Sequence, residues 1–374
     1  MTIRCRRACL LLVLILALGV RVAPPAIAAQ AGFPVPQIAY EPRHYLCPRV
    51  EQGPLIDGRL DDAAWKTARW TESFIDIRGA EQPAPFFATR AKMLWDDRYF
   101  YVAADLEEPH LWATYAERDA IIYHENDFEV FIDPDGDTHE YYELEINALG
   151  TVWDLLLIRP YRDGGPAVHA WDIAGLRTAV HLDGTLNDPT DEDRGWTVEI
   201  AFPWEILREC AHRAVPPEAG DRWRINFSRV QWHLDASAAG YAKQVDPATG
   251  TPRPEENWVW SPQGLIAMHY PEMWGVVEFA TERAGIAPVA RGPADERLRW
   301  QLRLVYYAQK ERHARGLGYS ADPELLGQHL TWPGSHDWSG IEIHCTPSTF
   351  EARAADGAGW LHIDHRGRLW RSAQ

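Results

Sequence analysis

The sequence is that of an antiparallel β-sandwich with a small α+β region appended at its C-terminus. Three observations predict this. From residue 46 to 281 the chain runs in short stretches whose apolar and polar side chains alternate, so each strand has one face for a core. Clusters of Asp, Gly, Asn and Pro separate those stretches at turn-sized intervals. Only "AAWKTA" (63–68) and "PWEILREC" (203–210) read as brief helices there, the second with Pro203 at or near its first turn. Many antiparallel strands with few helices make a sandwich.

The elements follow in chain order. Arg4, Arg6 and Arg7 precede an apolar run from Leu10 to Val20, followed by Ala26-Ile27-Ala28. A charged start, a short apolar stretch and a small-x-small site predict a signal peptide over 1–28, cleaved near Ala28. The run is short for a membrane span, so the expected location is secreted or periplasmic. Residues 29–45, with Pro34, Pro36 and Pro42, read as an extended linker. "AKMLWDDRYFYVAADL" (91–106) is a strand, an Asp-Asp turn and a second strand. "FEVFID" (128–133) and "YYELEIN" (141–147) form the next pair, then "TVWDLLLI" (151–158). "GLRTAVHLDGTL", "GWTVEIAFPWEIL", "WRINFSRVQWHL" and "EMWGVVEFA" complete the series by residue 280.

Residues 282–374 have a different character, and the sequence gives this region no role. In "RLRWQLRLVYYAQKERHARG" (297–316), Leu298, Leu302 and Val305 recur at helical spacing, and Gly316 can end the helix. "IEIHC", "TFEARA", "WLHID" and "LWR" then predict a small antiparallel sheet.

Charge and cysteine usage bound the function. The formal charge is −17, and removing the four leader arginines leaves about −21. Such a surface disfavours nucleic acid and anionic membranes and suits cations or neutral ligands. Cys5 and Cys9 lie in the leader, so Cys47, Cys210 and Cys345 allow at most one internal bridge. Their spacing suggests no zinc site. HExxH, GxSxG and phosphate-loop patterns are missing. Eighteen tryptophans exceed ordinary usage. A sandwich core absorbs most of them, and the rest can form platforms for the C–H faces of sugar rings.

The chemistry concentrates in residues 125–147, which hold nine carboxylates. Phe128, Val130 and Ile132 alternate against Asp127, Glu129, Phe131 and Asp133; Tyr142, Leu144 and Ile146 alternate against Tyr141, Glu143, Glu145 and Asn147. Like charges on neighbouring strands repel unless something compensates. If the strands holding Glu199 and Arg224–Asn226 join the same sheet, its polar face carries Glu129, Glu143, Glu145, Glu199, Arg224 and Asn226. Such acceptors and donors grip hydroxyls by charge-assisted hydrogen bonds. A solvated sheet face would show the same alternation. Two acidic turns invite calcium, which takes six to eight hard oxygens. One holds Asp133, Asp135 and Asp137; the other holds Asp188, Asp191 and Asp193.

"IDGRLDDAAW" (56–65), "RAKMLWDDRYFYVAADLEEP" (90–109), "ENDFEVFIDPDGD" (125–137), "RGWTVEIAFPW" (194–204) and "NWVWSPQG" (257–264) resemble the carbohydrate-binding family 9-like proteins. These are similar to the family 9 modules of xylanases. The resemblance covers about 46–281. It implies a DOMON-like sandwich of the immunoglobulin-like, jelly-roll type. In such modules two tryptophans sandwich a terminal sugar, Glu, Arg and Asn take its hydroxyls, and calcium braces loops. By resemblance Glu129 matches the glutamate and Asn226 the asparagine. Tyr123 stands near the first platform, and Glu143 or Glu145 stands where the arginine falls. Trp232, Trp258 and Trp260 are candidates for the second platform.

The expected function is therefore an exported, non-catalytic carbohydrate-binding protein acting in the use of xylan- or cellulose-type polysaccharide. Calcium is its one expected cofactor, as a structural ion. One alternative is a glycoside hydrolase using paired carboxylates. Another is a haem-binding DOMON-like module. Met268-His269 is its only adjacent Met-His pair, and two neighbours cannot both serve as opposite axial ligands of one iron.

Overall fold

The computed structural model describes residues 32–280 and 294–373, so the leader and the junction at 281–293 lie outside the described residues. Two sheets form the sandwich. The larger runs in the spatial order His44–Pro48, Gly275–Ala280, Arg222–Gln231, Asp127–Asp133, Tyr141–Asn147, Val152–Leu157, Ala167–Val168. Its first pair is parallel and the others are antiparallel. Glu256–Val259 pairs with the far end of Arg222–Gln231 and with Ile75–Asp76. The smaller sheet orders Thr89–Trp95, Tyr99–Glu107, Gly195–Pro203 and Arg177–Asp183, all antiparallel.

The alternation read from the sequence builds the space between the sheets. Phe128, Val130, Ile132, Tyr142, Leu144 and Ile146 meet Val102, Ala104, Val198, Ile200 and Phe202 in one core. Trp223, Trp258 and Trp260 belong to it as well. Of the two short helices, "AAWKTA" contains only a 3-10 turn, Trp65–Thr67. Trp204–Leu207 is helical, with Pro203 immediately before it. Cys47, Cys210 and Cys345 are all free thiols.

Three expectations are corrected. The strip expected as an extended linker over 29–45 is tied down where it is described, at 32–45: His44 already opens a strand, Val35 is buried, and Tyr40 stacks on Trp300 at 4.2 Å and 5°. The strand holding Glu199 joins the smaller sheet, so Glu199 is absent from the carboxylate face. It is buried and accepts hydrogen bonds from the Trp65 indole and the Gly58 amide. The outward face of the 127–147 hairpin is not solvated. Phe131, Tyr141, Trp153, Leu155 and Leu157 pack there with Ile77, Val259, Met268 and Trp274.

The C-terminal region forms the predicted helix and sheet. The helix spans Ala294–Ala314, and Gly316, at φ 74°, takes the left-handed conformation that ends it. Trp300, Leu302, Leu304, Val305, Tyr306, Tyr307 and Ala308 are all buried, a face wider than one stripe. The helix needs that width because it has two partners. It packs on the sheet residues Phe350, Ala352, Leu361 and Ile363, and on Val35, Tyr270 and Met273.

Among the described residues, the sandwich core draws on none beyond Phe279. A chain ending at Ala280 should therefore still melt cooperatively. It should melt below the full chain, because Tyr270, Met273 and Val35 lose their cover. Insolubility of the shortened chain beside a stable full chain would make the two regions one folding unit.

Candidate functional site

The site grows from the outward face of the 127–147 hairpin. The pairing register sets Glu129 opposite Glu145 on one side and Ser228 on the other. Glu143 lies two residues along from Glu145 and faces the same way. Asp127, Glu129 and Glu145 each offer an oxygen, and those three oxygens lie within 4.8 Å of one another. The four carboxyl groups are buried, at 1% exposure for Asp127 and Glu145, 5% for Glu129 and 6% for Glu143.

Few protein donors serve these acids. Glu145 accepts from the Tyr123 amide at 2.9 Å and Asp127 from the Val230 amide at 3.2 Å. Asp127 Oδ2 and Glu143 Oε2 have no hydrogen-bond partner among the described residues. Burial pushes Glu129 up to about 7, with Glu255 adding to the rise and Ser228 opposing it. Burial and then neighbouring carboxylates push Asp127, Glu143 and Glu145 well above the usual range.

Two exposed phenols stand at this acid floor. Tyr123 is 39% exposed and Tyr161 is 49% exposed. Burial and then Glu143 and Glu145 push the Tyr161 phenol up to about 12, with Tyr123 adding to the rise. Tyr123 follows from the 3-10 turn Ile122–His124, whose Ile122 anchors in the apolar cluster beneath. Its ring lies 6.2 Å from Trp153, and its carbonyl accepts from the Trp232 indole at 3.0 Å. Lys243 covers Trp232 at 3.2 Å from the ring centre. Tyr161 sits in the turn Tyr161–Asp163 and meets His269 edge-on at 4.4 Å.

The structure thus brings together Tyr123, Glu129, Glu143, Glu145 and, beside them, Trp232. It takes the other candidates elsewhere. Trp258 and Trp260 are 1% and 0% exposed and pack in the core, so neither ring is free to stack on a ligand. Asn226 is fully buried and exchanges two hydrogen bonds with the Ser261 backbone, pinning that loop. Arg224 lies opposite Asp133, the one hairpin carboxylate that acts on it. It pairs with Glu296 and bonds Tyr40 at 2.7 Å and the Trp274 carbonyl at 3.0 Å.

The acidic turns divide. Oxygens of Asp133, Asp135 and Asp137 do converge. Asp133 accepts from the Gly136 and Thr138 amides, and Arg368 meets Asp137 at 2.8 Å, supplying positive charge that a cation would otherwise bring. Asp188, Asp191 and Asp193 do not converge among the described residues. Asp188 caps Thr190, while Asp193 holds the Leu111 and Thr185 amides. The second turn is therefore a backbone clasp. Sequence reasoning missed Asp127 as a site member and missed Tyr161, an aromatic in a turn with no periodicity to mark it. Met268 is buried in the apolar cluster, and Tyr141 and His269 Nδ1 are 2.9 Å apart, which ties up that imidazole.

The sequence profile described as "Carbohydrate family 9 binding domain-like" matches residues 56–280. The chain is 36% identical over 155 residues to an endo-1,4-beta-xylanase A of Thermoanaerobacterium saccharolyticum, covering 41% of this chain and 11% of that protein. It is 26% identical over 154 residues to an exoglucanase, XynX, of Acetivibrio thermocellus, covering 41% of this chain and 12% of that protein. The likeness therefore spans only about one-eighth or less of either relative. A solved family 9 carbohydrate binding module of Caldicellulosiruptor kristjanssonii, in complex with cellotriose, covers 67% of this chain and 100% of its own. That match has 17% identity and a TM-score of 0.41.

Proposed function

Since this chain belongs to the carbohydrate family 9 binding domain-like family, we propose that the face carrying Tyr123 and Tyr161 binds a sugar unit of a polysaccharide without cleaving it. The reading places the protein outside the cytoplasm after removal of its leader, in the use of xylan- or cellulose-type polymers. The observation that carries it is the pairing of two exposed aromatic rings with four buried carboxyl groups. Aromatic faces pack on sugar C–H faces. Carboxylates accept hydroxyl hydrogen bonds, and a carboxyl held near neutrality such as Glu129 can also donate.

The names of the curated relatives select cello- and xylo-oligosaccharides as probes. Titration calorimetry of the full chain should give saturable binding. Tyr123→Ala and Tyr161→Ala should each weaken it by about 1–2 kcal/mol, roughly 5- to 30-fold. Both rings are exposed, so melting should change by no more than about 0.5 kcal/mol. Binding that ignores both substitutions would sink the assignment of this face. A hydrolase would use the same acids, since oxygens of Glu129 and Glu145 lie within 4.8 Å. Turnover of the oligosaccharides would favour it.

A further inference from the structure

Oxygens of three buried acidic side chains, Asp127, Glu129 and Glu145, converge, and the protein gives them two backbone amides. We propose that Asp127, Glu129 and Glu145 bind a hard divalent cation, of which calcium is the type, beside the turn that carries Tyr123. The geometry fits such an ion. Two oxygens on one calcium lie at most about 5 Å apart, twice the usual Ca–O distance, and the three ligand oxygens fall within 4.8 Å. Burial excludes the bland reading of a solvated acidic surface, since none of the three exceeds 5% exposure.

The independent observation comes from outside the trio. Glu143 is 6% exposed, faces Glu129 and leaves Oε2 without a partner. Within the trio, Asp127 Oδ2 is equally unmatched. A buried acceptor without a donor costs about 1–3 kcal/mol, more when charged, so the group calls for a positive partner. Arg224 and Arg229, on the strand paired with Asp127–Asp133, are committed elsewhere. Arg229, the basic group acting on Asp127, is engaged by Glu108, Gln231 and Thr89. Arg224 is held by Glu296 and Tyr40. Calcium takes six to eight oxygens, and three carboxylates leave coordination positions open. A ligand's hydroxyls would fill them. That last step rests on the saccharide reading; the cation itself does not.

The test uses the full chain stripped with chelator and titrated with calcium chloride. The expected result is a saturable binding event that Asp127→Asn and Glu145→Gln each weaken at least about tenfold. Glu51→Gln, an exposed acid outside both acidic turns and the hairpin, should leave it unchanged. These are near-isosteric changes that remove charge, and a melt of each variant confirms folding. Should one fail to fold, the other carries the localisation. No binding in the stripped wild-type protein would overturn the proposal, as would binding that survives both substitutions. Oligosaccharide titrations with calcium and with chelator separate the two readings. Sugar binding lost in chelator supports the bridging ion. Calcium binding with no sugar binding keeps the cation and removes the saccharide reading. Sugar binding indifferent to calcium removes the bridging role.

Discussion

Arg162→Ala is expected to destabilise the protein by about 3–5 kcal/mol, the cost of breaking a buried ion pair by removing one partner. The Arg162 side chain is 4% exposed and lies 2.9 Å from Glu272, itself 5% exposed. The guanidinium also donates to the His269 carbonyl at 3.2 Å and covers the Tyr270 ring at 4.1 Å. Glu272 accepts from the Tyr307 hydroxyl and lies 3.7 Å from Arg303. Without Arg162 it keeps those two partners and loses its closest charge. The pH dependence has a definite sign. Burial alone would push Glu272 up, but Arg162 and Arg303 outweigh it and hold the carboxyl at about 2. Its folded value lies below the unfolded value of about 4.5, so its contribution is present above pH 4.5. It is lost as pH falls toward 2. Denaturant melts should therefore show the gap between wild type and Arg162→Ala narrowing across that window. A gap that is small at pH 7, or that widens on acidification, would contradict the paired-charge account.

The same substitution reports on the C-terminal region. Asp163 accepts from the Tyr306 hydroxyl at 2.7 Å and from Lys310 at 2.8 Å, so the long helix holds the turn that carries Tyr161. Losing Arg162 loosens that turn from its other side. A second consequence follows: oligosaccharide affinity should fall along with stability, although Arg162 is not a ligand contact.

The inner face of the 127–147 hairpin was legible from alternation, and its six apolar residues are all in the core. The outer face was not. Alternation distinguishes two faces of a strand but does not say what lies over each. Here the cover comes from Ile77, Val259, Met268 and Trp274, far away in sequence. Alternation therefore set Phe131 beside the carboxylates and left its cover open. Trp258 and Trp260 show the same limit, since a tryptophan in a strand looks identical whether it fills a core or awaits a ligand. Glu199 failed for another reason. Strand sequences do not state which sheet they join, and its carboxylate serves a loop at residues 57–58. The helix at 294–314 was legible because its apolar spacing is local, yet its buried ion pairs with the sandwich were not.

Phe131→Ala decides between those two accounts of the outer face. If that face were solvated, trimming Phe131 would remove few contacts and change stability within about 0.5 kcal/mol. The structure instead buries it to 1% exposure, with Trp274 at 5.5 Å and His269 edge-on at 5.9 Å. Its strand neighbours across the sheet are Glu143 and Asn226, so the ring separates acid from buried amide. Deleting a buried phenyl group costs about 3–5 kcal/mol, because the cavity left behind collapses only in part. In a domain of 150–250 residues that is a fall in melting temperature of roughly 6–20 °C. The exposed Tyr123→Ala variant is the internal control, since it removes an aromatic ring of similar size from the same face at little cost. A Phe131→Ala melt within a degree or two of wild type would return this face to solvent. It would take with it the burial on which the cation site depends.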